Sequence, residues 1–81
     1  MWTVYVLSCS DGSLYTGVTT DLERRLAEHN AGRGAKALRG RLPCRVVYSE
    51  RRRTRSTAQS REAEIKSWPR GRKLLLVRRR T

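Results

Sequence analysis

The sequence predicts a small α+β domain in which two strands are followed by a helix, a third strand and two further helices, the order ββαβαα. Two observations carry that expectation. An apolar, β-branched and aromatic run, Trp2-Thr-Val-Tyr-Val-Leu7, is separated by turn residues from a second one, Leu14-Tyr-Thr-Gly-Val-Thr19. The later segments instead repeat their apolar residues at helical spacing and open on helix-capping residues.

Each element follows from its residues. Ser8-Cys-Ser-Asp-Gly-Ser13 is turn chemistry, and Asp11-Gly12 is the strongest hairpin signal in the chain. Tyr5 and Tyr15 share a sheet face only if paired positions have even index sums, which a two-residue turn would not give. If the two tyrosines do share a face, an odd-numbered loop or a bulge is expected, with Tyr5 opposite Gly17. Thr20-Asp-Leu-Glu23 has the capping-box pattern and opens a helix to about Asn30, stopped by Gly32 and Gly34. Residues 31–42 form a glycine-rich basic connection with a short helical turn at Ala35–Leu38. Cys44-Arg-Val-Val-Tyr-Ser49 reads as the third strand, closed by the solvated run Arg51-Arg-Arg53. Ser56-Thr-Ala-Gln59 offers a second capping box for a helix to about Trp68, and Pro69 suits the first turn of a last helix ending near Val77. A basic tail at about 78–81 is expected to fray. No repeat or linker divides the 81 residues, so one domain spans 1–81.

Composition narrows the function. The formal net charge is +12, and sixteen of the nineteen basic residues are arginine, whose planar fork grips phosphate with two bonds. Such a field attracts a polyanion, so nucleic acid is the expected partner. A membrane surface is the weaker rival, since no segment joins a clean basic face to a bulky apolar one. Cys9 and Cys44 are isolated in sequence and make no disulfide framework. No signal-like or membrane-spanning stretch is present, and a reduced, cytoplasmic protein is expected.

The candidate chemistry sits on two helices and two strands. Leu22, Leu26 and His29 share a helical face toward which Arg25 leans, while Arg24 and Glu28 point away. A cation aimed at a core needs a partner, unless it snorkels at the rim. On the second long helix Ala58, Glu62 and Ile65 share a face that Glu64 does not. An inward Glu62 either pairs with an arginine or holds a divalent metal. His29 alone is more often structural than catalytic, and Tyr5 and Tyr15 alone are ordinary strand aromatics. Zinc-spaced Cys/His sets, phosphate-binding loops and nucleophile triads are absent from the sequence.

Taken together, Val4-Tyr5-Val6 and, ten residues on, Tyr15-Thr16-Gly17 resemble the paired tripeptides that name the GIY-YIG endonucleases. Asp21-Leu-Glu-Arg-Arg-Leu-Ala-Glu-His29 resembles that family's first helix, and Ala58-Gln-Ser-Arg-Glu62 with Ile65-Lys66 its metal-binding helix. Gly34-Ala-Lys36, Arg39-Gly-Arg41 and Lys66-Ser-Trp68 are similar to the short stand-alone bacterial branch. Departures are Val4 and Val6 for Gly and Ile, Thr16 for Ile, and Ala37-Leu38 where the branch carries an aromatic–hydroxyl pair.

The resemblance implies a three-stranded antiparallel sheet flanked by helices, and metal-dependent hydrolysis of phosphodiesters in DNA, favoured over RNA. Glu62 would bind one Mg²⁺ or Mn²⁺ and Arg25 would stabilise transition-state charge. Tyr5 or Tyr15 would deprotonate or orient the attacking water, with His29 orienting a tyrosine or the phosphate. Gly17 would let the backbone approach substrate, beside the nucleic-acid-binding candidates Arg33, Lys36, Arg39, Arg41 and Lys66. The alternatives are a catalytically weak nucleic-acid-binding module of the same fold, and a basic RNA-associated protein. A monomer is expected, with a protein partner possible as the source of specificity.

Overall fold

The computed structural model describes residues 1–79, in the order β1 (Trp2–Cys9), β2 (Leu14–Thr19), α1 (Leu22–Asn30), a 3₁₀ turn (Lys36–Leu38), β3 (Cys44–Arg52), α2 (Arg55–Ser67) and α3 (Arg70–Arg79). The sheet order is β2-β1-β3, antiparallel throughout. The central position of β1 explains why Val4 to Leu7 are apolar without alternation: they are buried on both faces.

The pleat sorts those residues into two cores. Tyr5, Leu7 and Cys9 pack with Leu38 and Cys44, under Leu22 and Leu26 of α1. Val4 and Val6 pack on the opposite face with Ala58 and Ile65 of α2, enclosed by Trp68, Leu76 and Val77. A register shift on β3 between the partners of Val6 and Leu7 leaves Val47 as the extra residue. It lets Val46 join the Tyr5 side while Val47 and Tyr48 join the other. No helix of the described residues is long and apolar enough to cross a membrane.

The β1–β2 hairpin has the expected parity. Tyr5 lies opposite Gly17 and Leu7 opposite Tyr15, so both tyrosines share one face. The connection is Ser10 to Gly12, closed by the Cys9 N–H on the Ser13 carbonyl (2.9 Å) and the Gly12 N–H on the Cys9 carbonyl (2.9 Å). Gly12 supplies the left-handed conformation (φ +85°) that a three-residue loop requires.

Boundaries differ from expectation in four places. The cap of α1 is Asp21, whose carboxylate accepts the Arg24 N–H, rather than Thr20. Aspartate caps better than threonine and its charge also suits the helix dipole. Helix α2 opens on Thr54, whose hydroxyl accepts the Thr57 N–H, rather than on Ser56. Its earlier start goes with a longer β3, which pairs Arg51 and Arg52 with Thr3 and Trp2 instead of ending at Ser49. Charge on an edge strand is no obstacle to its ladder. Finally, α3 continues through Arg79, so the expected basic tail begins inside a helix and residues 80–81 of it lie outside the described ones.

Candidate active site

The site is assembled around the hydroxyl of Tyr5. This side chain is buried on the central strand, and its ring lies across the ladder over Gly17. A Cβ at Gly17 would stand 2.5 Å from the Tyr5 Oη and 2.7 Å from Cζ, so the glycine makes room for the phenol. Helix α1 brings His29 to the same point. His29 is buried at the end of the Leu22–Leu26 stripe, and its Nε2 is 3.0 Å from the Tyr5 Oη. Tyr15 adds its ring edge to His29 at 5.5 Å and tilts against Tyr5 at 6.5 Å between centroids.

The end of α1 determines which proton His29 offers. The helix closes with the Gly32 N–H on the His29 carbonyl and the Arg33 N–H on the Glu28 carbonyl, with Gly32 at φ +81°. That turn folds the chain back, and the Ala35 N–H donates to His29 Nδ1 at 3.2 Å. A neutral imidazole accepting at Nδ1 carries its hydrogen on Nε2, so His29 donates to the Tyr5 oxygen. Gly34 permits the fold-back: a Cβ there would overlap His29 Nδ1 and lie 2.8 Å from its Cα.

Arg25 stands one turn before His29 and is half-buried, its Nη1 donating to Glu28 Oε1 at 3.2 Å. Glu28 therefore does not point away as the spacing suggested; it faces Arg25 and also meets Arg24 at 3.6 Å. Glu62 on α2 is 22% exposed against 53% for Glu64, which pairs with Arg61. The Glu62 carboxylate has Lys66 at 3.2 Å, and its charge reaches Tyr5. Tyr5, Tyr15, Gly17, Arg25 and His29 are thus drawn to one region from β1, β2 and α1, while Glu62, on the helix that packs against the other face, acts on Tyr5 through its charge.

The basic loop is a separate, exposed feature. Arg33, Lys36, Arg39 and Arg41 all face solvent, anchored from below by buried Leu38. Arg41 meets Asp11 at 3.5 Å and its carbonyl takes the Ser10 N–H, tying the loop to the hairpin. Lys66 is exposed and paired with Glu62.

Burial drives the titration of this region. It pushes the Tyr5 phenol up to about 12, with Tyr15 and Glu62 adding to the rise and Arg25 opposing it. Burial also lowers His29 below 6.5, helped by Arg25 and opposed by Glu28. On the same core face, burial and the Cys9 neighbour push Cys44 up to about 12. Tyr5 and Cys44 keep their protons when folded longer than when unfolded, so their contributions to stability are lost as pH rises from 10.0 and 9.0 respectively towards about 12. His29 favours its neutral form, so its contribution is present above 6.5 and lost as pH falls through the folded value. A melting temperature followed by circular dichroism should be highest between those limits and decline on both sides. A continuous rise from pH 9 to 11 would contradict this assignment.

Two contributors are not singled out by the sequence, Glu28 and the Ala35 amide, and Gly34 reads there as a helix stop rather than as the residue that makes room for His29. Glu28 had a local signal, its i,i+3 and i,i+4 spacing to Arg25 and Arg24.

Residues 1–74 match the GIY-YIG catalytic domain. A UPF0213 protein of Haloquadratum walsbyi is 60% identical over 74 residues, covering 91% of this chain and 83% of the relative. A UPF0213 protein of Staphylococcus aureus is 48% identical over 77 residues, covering 95% and 94%. The solution NMR structure of a UPF0213 protein from Bacillus halodurans superposes with a TM-score of 0.61 at 45% identity, covering 95% of this chain and 83% of that one. The chain belongs to the GIY-YIG catalytic-domain family, with short UPF0213 proteins among its relatives.

Proposed function

We propose that this protein is a metal-dependent nuclease that hydrolyses nucleic-acid phosphodiester bonds, with DNA the first substrate to test. The observation that carries the reading is the convergence of His29 and Arg25 on one buried tyrosine hydroxyl, with the Glu62 charge acting on it from α2. A purely structural core has no use for three ionisable side chains joined there, whereas phosphoryl transfer needs proton transfer and charge stabilisation at one point.

The residues fit a lightly held divalent ion. Among the described residues no group of three or more His, Cys, Asp or Glu could hold a metal, so a carboxylate cage is not built here. Mg²⁺ accepts one carboxylate and completes its shell with water and substrate phosphate oxygens, and half-buried Glu62 suits that role. Bound there, Mg²⁺ or Mn²⁺ would neutralise the phosphate and the departing oxygen.

The chain's own groups then divide the work. Tyr5 first gives its own proton to solvent, and the His29 Nε2–H supports the phenolate so formed, while Nδ1 stays engaged by Ala35. The phenolate then orients the attacking water and takes its proton, which returns it to the phenol. Arg25 already lowers Tyr5 and is half-exposed, so it can meet a phosphate oxygen as negative charge grows. Once the Glu62 charge is offset, one of the influences holding the proton on Tyr5 is gone. Tyr15 holds the His29 ring, and the exposed cations of residues 33–41 and Lys66 bind backbone phosphates. The protein acts as a monomer in the cytoplasm, and a partner could add specificity.

One observation favours the second reading, a binding module with little turnover: the Tyr5 proton is held tightly, at about 12. Arg25→Ala separates the two. It should lower cleavage by about 10²-fold, the scale of one transition-state charge stabiliser, and change affinity little because many arginines remain. Equal loss of cleavage and affinity would favour the binding module.

A further inference from the structure

Cys9 and Cys44 are 35 positions apart in sequence, yet they face each other at one end of the β1–β3 ladder, both free and buried. Their sulfurs are 3.2 Å apart. The backbone around them shows which kind of pair this is. The Cys44 N–H and carbonyl both engage the Asn30 side chain, at 2.8 and 3.0 Å. The Cys9 N–H and carbonyl both serve the hairpin turn. Neither residue spends its polar groups on the other, so they form a non-hydrogen-bonded antiparallel pair. The Cα atoms of such pairs lie about 4.5 Å apart, inside the roughly 4.4–6.8 Å that a disulfide bridges.

We propose that Cys9 and Cys44 are a modification site: a dithiol that closes to a reversible intramolecular disulfide with a small-molecule disulfide oxidant. The Cys44 thiol donates to the Cys9 sulfur, so the Cys44 proton is engaged within the pair and Cys9 is assigned the first attack. The Cys9 thiolate attacks one sulfur of the oxidant, forming a mixed disulfide and expelling one thiolate, which takes up a proton. Cys44, after losing its own proton to solvent, attacks the Cys9 sulfur and expels the second thiolate. Two protein thiols lose two electrons and two protons, and the oxidant is reduced to two thiols. Burial holds the proton on Cys44, so the closing step accelerates with rising pH.

The ring so closed contains β2, α1 and the 3₁₀ turn, and with them Tyr15, Gly17, Arg25 and His29. Asn30, the residue after His29, already clamps Cys44. The cross-link thus restrains the segments that carry the candidate site, and it restricts the unfolded chain over a long loop. Closure should raise the melting temperature by roughly 10 °C or more.

The test uses the wild-type chain, incubated near neutral pH with excess oxidised glutathione. It is then quenched in acid, denatured, treated with N-ethylmaleimide and weighed intact. The expected product is monomeric, two hydrogens lighter than the reduced protein, free of maleimide and glutathione, and higher melting. Cys44→Ser should instead retain glutathione on Cys9 and show no gain in melting temperature. Two maleimide adducts on the oxidant-treated wild type, a persistent glutathione adduct, a covalent dimer, or closure without thermal gain would each overturn the proposal. The wild-type readout stands even if the variant does not fold.

Discussion

Replacing Glu62 with alanine should abolish metal-dependent cleavage while nucleic-acid binding holds or tightens slightly. The carboxylate is the candidate ligand for the cation, half-buried on α2, and no cluster of other acidic or His/Cys groups among the described residues could replace it. Binding gains because a negative charge leaves and Lys66, now unpaired, is free to meet a phosphate. Folding should survive: Ala58 and Ile65 supply the buried contacts of α2, and a half-exposed ion pair contributes at most about 1 kcal/mol. Glu64→Ala is the control. Its carboxylate is 53% exposed and pairs outward with Arg61, so cleavage should be unchanged. Rates and affinities of the three proteins, measured on one labelled substrate, check this. Equal losses in the Glu62 and Glu64 variants would remove Glu62 from the site.

Tyr5→Phe should lower the cleavage rate by about 10²–10⁴-fold, the range for loss of a group that moves a proton in the transition state. The ring still fills the space over Gly17, so packing is kept and the change is confined to one oxygen. That oxygen is the partner of His29 Nε2, and leaving this buried donor unsatisfied costs about 1–3 kcal/mol of stability. Single-turnover cleavage should therefore be measured well below the lowered melting point, with binding in parallel. A variant that is less stable but cleaves at the wild-type rate would leave Tyr5 a structural role only.

Much of the fold was legible because its determinants are local. Hairpin parity followed once Tyr5 and Tyr15 were placed on one face, against the two-residue turn that Asp11-Gly12 alone suggests, and Tyr5 does face Gly17. Helical spacing put His29 inward and Glu62 more inward than Glu64. The caps were misplaced by one or two residues because Thr20 and Asp21, or Thr54 and Ser56, are all competent and the choice depends on where the preceding strand ends. What spacing could not show was anything decided by long-range packing. The Ala35 amide reaches His29 only because the Gly32 turn reverses the chain. Cys9 and Cys44 read as isolated and are neighbours, since strand pairing over 35 positions leaves no local mark. Gly17 carried the opposite lesson. Its missing side chain accommodates Tyr5, a reason that no motif spacing reveals.

Whether this centre performs metal-dependent hydrolysis is tested most directly with the wild-type protein. Single-stranded, duplex and branched DNA and matching RNAs would be incubated with Mg²⁺, with Mn²⁺ or with excess chelator, beside a Glu62→Ala preparation purified identically. Cleavage of at least one substrate by the wild type with metal, absent with chelator and absent from Glu62→Ala, is the expected result. Cleavage of equal extent in wild type and Glu62→Ala, or tight binding of every substrate with no metal-dependent product, would contradict a nuclease centre built on Tyr5, His29, Arg25 and Glu62.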